Sequence, residues 1–110
     1  MKEKIIKRLY DFWSKIDNND NLLKEITDNV NDGITGAEIL LDWCREDYDK
    51  AQRKYMELHS INIREMQKVM EENFGNYEFM YNELPYVEEL DEIWDLCNEY
   101  FDYCKEMEEK

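Results

Sequence analysis

Apolar residues recur at three- and four-residue intervals along most of this chain, with polar residues between them, the pattern of amphipathic helices. Over residues 2–16, Ile5, Leu9, Phe12 and Ile16 share one face and Ile6 and Trp13 widen it, which predicts a first helix with a basic start at Lys2, Lys4, Lys7 and Arg8. The polar run "DNNDN" interrupts the pattern. Asp20 or Asn21 can then cap a short second helix with Leu22, Leu23, Ile26 and Val30 as its apolar face and Gly33 as its stop. Thr35 and Glu38, in "TGAE", stand at capping-box spacing and open the longest periodic stretch. Its stripe is Ala37, Leu41, Cys44, Tyr48, Ala51, Tyr55 and Leu58, drifting onto Ile63, Met66 and Met70. The periodicity favours one long, bent helix to about Asn73. A break near "HSIN", with Asn62 and Glu65 as a second capping box, is the alternative. "FGNYEFMYNELP" reads as an aromatic connector turning at Gly75–Asn76, with space for one short helical turn. Pro85 suits the first turn of the last helix.

The expected fold is all-α: a single domain over residues 1–110, built as a small bundle of about four helices, with a long third helix and a long acidic C-terminal helix. Three glycines and one proline leave little for tight β-turns, and 43% hydrophobic residues suffice for one modest core. Both a monomer and a homodimer with the long helices as its seam fit this pattern. The cysteines, Cys44, Cys97 and Cys104, are odd in number and form no CxxC pair, which favours reduced thiols in a cytosolic setting. No apolar run reaches signal-peptide length after the charged start, and none approaches the roughly 20 residues of a membrane span. Residues with A/T-rich codons (Ile, Asn, Lys, Tyr, Phe) number 41 against 10 for Gly, Ala, Arg and Pro. The expected setting is therefore the cytoplasm of a bacterium or of a phage-infected cell, with no membrane contact.

Charge changes the picture most. The net charge is −14, and residues 71–110 hold fourteen acids but only Lys105 and Lys110 as bases. Like-charge repulsion disfavours direct binding to nucleic acid or an anionic membrane, and a basic partner is the natural complement.

Candidate chemistry is sparse. Asp17, Asn19 and Asn21 alternate as in a calcium loop, but the sixth position is Leu22 where glycine is needed and the twelfth is Asp28. His59 is the only histidine, and Met56 stands where a Glu-x-x-His di-iron motif needs its glutamate. Cys97 and Cys104 lie two turns apart, roughly 10 Å along a helix, too far for adjacent metal ligands or a disulfide. Both share the apolar stripe with Leu90, Ile93 and Tyr100, so core packing is the better reading. With no glycine-rich loop and no Cys/His arrangement, neither an enzyme, a cofactor nor a metal is expected.

One line stands out instead. Glu88, Glu92, Asp95, Glu99, Asp102, Glu106 and Glu109 follow each other at three- or four-residue steps with no base among them. Six like-charged pairs of this kind cost a helix roughly 1–3 kcal/mol, and Glu106, Glu108 and Glu109 crowd the end where the helix dipole favours cations. The third helix offers a contrast, with Glu46 four residues before Lys50 and Asp49 four before Arg53, the favourable pairing. Lys4, Arg8 and Lys15 lie along one side of the first helix and could neutralise part of the line. Ten acids between Tyr86 and Glu109 give about one charge per 3.6 Å of axis, close to the roughly 3.4 Å per phosphate of one DNA strand. Tyr86, Trp94 and Tyr103 can add contacts beside the acids. In size, charge and helicity the chain is similar to the small acidic anti-restriction and anti-CRISPR proteins of phages and mobile elements. That resemblance implies an inhibitor that mimics nucleic-acid charge and blocks a basic DNA- or RNA-binding protein. The competing expectation is a helical adaptor or regulator whose partner docks on apolar and aromatic groups.

Overall fold

The computed structural model describes residues 2–16 and 19–109, with the side chain of Glu109 left out. Among the described residues there are six helices and no strand: α1 (Lys2–Ile16), α2 (Leu22–Asn31), α3 (Gly33–His59), α4 (Ile63–Glu72), α5 (Tyr77–Glu83) and α6 (Val87–Glu109). The sequence pattern predicts about four. The difference arises at both ends of the segment between the two long helices.

The first helix has the predicted bounds and buries Ile5, Leu9, Phe12 and Trp13. On α2 the buried face is Leu22, Ile26 and Val30, at i, i+4 spacing, while Leu23 turns outward and is 50% exposed. Asn21 makes no side-chain cap; instead Asn19 accepts a hydrogen bond from the Asn21 amide at 2.9 Å. Gly33 takes φ +65° and swings the chain into α3. That helix therefore starts before "TGAE", and the predicted Thr35–Glu38 capping box falls inside its first turns without acting as a cap. The glycine of that motif has another use: a Cβ at Gly36 would stand 1.7 Å from the Asn29 carbonyl oxygen. Only glycine lets α2 and α3 approach this closely.

The predicted long helix breaks at His59. Ser60 adopts the left-handed conformation with φ 54°, and the Asn62 side chain caps α4 by accepting from the Glu65 amide at 2.9 Å. The reversal lays Met66 against Ala51, in a small second core with Leu84 and Val87. Met56 packs there too, and Leu58, about 200° further round α3, is left 66% exposed. The aromatic connector forms α5 rather than a single turn, capped by Asn76 accepting from the Phe79 amide at 3.1 Å. Pro85 stands outside α6, whose first hydrogen bond runs from the Leu90 amide to the Tyr86 carbonyl at 3.0 Å.

Four helices, α1, α2, α3 and α6, pack in a ring in which each touches its two neighbours, and α3 against α6 is the broadest contact. The main core inside the ring combines Leu9, Phe12, Ile26, Val30, Leu40, Cys44, Leu90, Ile93, Cys97 and Tyr100. The short α4 and α5 extend from one end as an arm, α4 resting on α3 and α5 on α6. The ring places the predicted acid line on its outer surface.

Candidate acidic interaction face

Apolar residues on α6 determine how its acids point. Val87, Leu90, Ile93, Cys97, Tyr100 and Cys104 are buried, and at 100° per residue they occupy one half of the helix. Glu88, Glu92, Asp95, Glu99, Asp102 and Glu106 occupy the other half, and all six are exposed. The Glu109 side chain, the last on the predicted line, lies outside the described residues. From Glu88 to Glu106 the row is about 27 Å long, with a carboxylate every 4.5–6 Å by the helical rise.

Two tyrosines hold this helix in place. The Tyr100 hydroxyl donates to the Val30 carbonyl, one of the last four carbonyls of α2 that have no partner inside that helix. Burial pushes the Tyr100 phenol up to about 12. The Tyr48 hydroxyl donates to the Asp91 carboxylate, and burial followed by that carboxylate raises Tyr48 as well. Between the same helices the Cys44 and Cys97 sulfurs lie 3.8 Å apart. The hydrogen bond with Cys97, then burial, hold the Cys44 thiol strongly protonated, so it is a poor nucleophile. All three cysteines are free and buried.

The flanks of the row differ. On the α1 side, Arg8 bridges Glu92 at 2.9 Å and Lys15 reaches Glu89 at 3.6 Å. Lys4 lines the groove between α1 and α6, along with Arg8, Asp95, Glu99 and Tyr103. The bridges from the first helix therefore reach only the N-terminal part of α6, while Lys4 shares the groove with Asp95 and Glu99 without bridging them. Among the described residues no salt bridge reaches Asp95, Glu99, Asp102 or Glu106. On the α3 side, Trp94 is half-buried, edge-on to Tyr48 at 6.3 Å, with the Arg45 guanidinium 5.7 Å from its ring centre. Trp94 thus belongs largely to the α3–α6 contact. Tyr103 is exposed on the α1 side and stacks on Tyr100 at 6.1 Å. Tyr86 is exposed too, but in the turn before α6, with φ 49°.

Charge pairing on α3 departs from the sequence expectation. Lys50 faces Asp47 at 3.8 Å rather than Glu46, and Arg45 pairs with Asp42 at 3.0 Å. Asp47 is buried and accepts from the Trp13 indole at 2.7 Å, a contact with no signal in the linear pattern. His59, the one histidine, rests on the Tyr55 ring at 4.3 Å and lies 3.8 Å from Glu83, away from every thiol named above. Asp17, the first position of the rejected calcium loop, lies outside the described residues. Among the described residues no cluster of three or more His, Cys, Asp or Glu side chains has a metal-binding arrangement, and no helix is long and apolar enough to cross a membrane.

Comparisons with protein families, with curated proteins and with solved structures find no match to this chain.

Proposed function

We propose that the protein is an acidic inhibitor whose last helix imitates the charge of a nucleic-acid strand and occupies a basic DNA- or RNA-binding partner. The observation that carries this reading is the exposed carboxylate row of α6, whose C-terminal half, Asp95 to Glu106, is left without a bridging cation among the described residues. A row fixed on a 23-residue helix is preorganised, so little conformational entropy opposes binding. Ten acids on that helix amount to about one charge per 3.5 Å of axis, close to the roughly 3.4 Å per phosphate of one DNA strand. Tyr103, exposed beside the row, supplies an aromatic contact of the kind enriched at binding hot spots.

The test is displacement. Nucleic-acid-binding proteins from a bacterial lysate are loaded on immobilised duplex DNA, and the pure protein is added. The expected result is release of a distinct subset. A variant with Asp95, Glu99, Asp102 and Glu106 changed to lysine should release none while keeping its helical circular dichroism. Equal release by that folded variant would refute the reading.

A second reading, an adaptor that docks through apolar groups, is favoured by a separate observation: Phe74, Tyr77 and Ile63 on the α4–α5 arm are largely exposed.

A further inference from the structure

The apex of the arm presents its most exposed large side chain on a turn that is built, not slack. Phe74 is 93% exposed between α4 and α5. On its N-terminal side the Asn73 backbone and side-chain amides both donate to the Val69 carbonyl, at 3.1 and 2.8 Å. On its C-terminal side the Asn76 amide donates to the Asn73 carbonyl at 2.9 Å, and the Asn76 side chain caps α5. Gly75 makes the turn possible by taking φ +80°, a region costly for other residues. Both flanking helices are thus terminated by side-chain hydrogen bonds, and the phenyl ring is held in water at a cost that the fold itself does not recover.

Behind the ring is an open cleft of about 500 Å³ lined by Met70, Phe74, Tyr77 and Met80. It is lined from both short helices, α4 resting on α3 and α5 on α6. Tyr77 lines it from α5, with the Tyr81 ring tilted against the Tyr77 ring at 6.0 Å. Methionine side chains adapt to varied apolar shapes, which suits them to line a groove for another chain. Glu71 lines the cleft, the exposed Glu72 and Glu78 adjoin its lining residues along the chain, and the nearest base in sequence is Lys68, one turn before Glu71 and Glu72.

We propose that this cleft is a docking site for a basic amphipathic helix of a partner protein, which inserts large apolar side chains between Met70 and Met80 and sets its lysines or arginines against the acidic rim. Apolar lining requires apolar anchors, as in helix-in-groove recognition. The rim selects a cationic frame around them. A second copy of this chain fits poorly, because two molecules of net charge −14 repel. An anionic membrane is disfavoured by the same rim. The site is separate from the α6 row, and neither depends on the other.

The experiment uses the full chain and a fluorescein-labelled synthetic helix of about 16 residues, long enough for marginal helicity, with leucine on one face and lysine on the other. Anisotropy is read in about 0.15 M NaCl, where charges more than about 8 Å apart are largely screened while contacts at the rim are not. The wild type should bind, and replacing the peptide leucines by serine, or its lysines by glutamate, should weaken binding about tenfold or more. Phe74→Ser with Tyr77→Ser, or Phe74→Ser alone if the pair unfolds, should weaken it by a similar factor. The lysine variant of the α6 row should stay within about threefold, which separates failure here from failure of the charge-mimic reading. Unchanged binding by the folded arm variants, or equal binding of the glutamate peptide, overturns the proposal. So does a wild-type dimer in sedimentation that Phe74→Ser converts to monomer, since the cleft would then cover a second copy.

Discussion

At Gly36 a single hydrogen atom decides how close two helices come. A methyl group there would meet the Asn29 carbonyl oxygen at 1.7 Å, and that oxygen belongs to helix backbone and cannot swing aside. Gly36→Ala must therefore push α2 off α3, and overpacking of this kind costs about 1–3 kcal/mol. Thermal melting should drop by roughly 4–15 °C for a domain of this size. Gly33 is the control. Nothing lies within 4 Å of its would-be Cβ, so Gly33→Ala carries only the cost of φ +65°, about 1 kcal/mol. Melting curves of the two variants, followed by circular dichroism, decide the matter: a Gly36→Ala protein as stable as Gly33→Ala would show that the close approach is not used.

Among the elements, α6 shows how two phenols can make docking pH-dependent. Tyr100 and Tyr48 both have their acidity pushed upward in the folded chain, Tyr100 to about 12 from an ordinary value near 10. A phenol raised on folding stabilises the fold fully below its unfolded value, and that contribution is lost as pH rises through the folded value. Stability should hence be flat up to about pH 10 and fall between about 10 and 12, as Tyr100 ionises beside the Val30 carbonyl. In urea titrations across that range Tyr100→Phe should be less stable near neutrality yet flatter in pH; an equally steep decline would remove Tyr100 as the cause. The bounds of α1 were legible in sequence because its periodicity is local and its neighbours polar. The α3–α4 break was not favoured, because Ile63, Met66 and Met70 continue the α3 stripe almost in phase. What overrides that phase is tertiary, the seating of Met66 on Ala51, though the Asn62 cap was visible as the alternative. Likewise the acid row reads directly as a helical face, whereas the covering of Trp94 by Tyr48 and Arg45 depends on the register of α3 against α6, which no local pattern carries.

For the molecule as a whole, repulsion and attraction between charges compete, and their magnitudes indicate the winner. Five like-charged neighbour pairs run from Glu88 to Glu106, and at 0.2–0.5 kcal/mol each they cost about 1–2.5 kcal/mol at low salt. Against them stand two exposed bridges from α1, Arg8 to Glu92 and Lys15 to Glu89, each worth about 0–1 kcal/mol. The net charge of −14, of which the row is part, acts in the same direction over the rest of the surface. Screening removes both contributions, so it should remove more cost than gain, and the protein should become more stable as salt is added. Melting between about 0.01 and 0.3 M NaCl, where the Debye length shrinks from about 30 Å to under 8 Å, should rise by several degrees. Asp95→Asn with Asp102→Asn, which touches neither bridge, should raise melting at low salt and shrink the salt response. A melting point that falls with salt would mean that the α1 bridges outweigh the row. The row would then be balanced within the fold, and the charge-mimic proposal would lose its support.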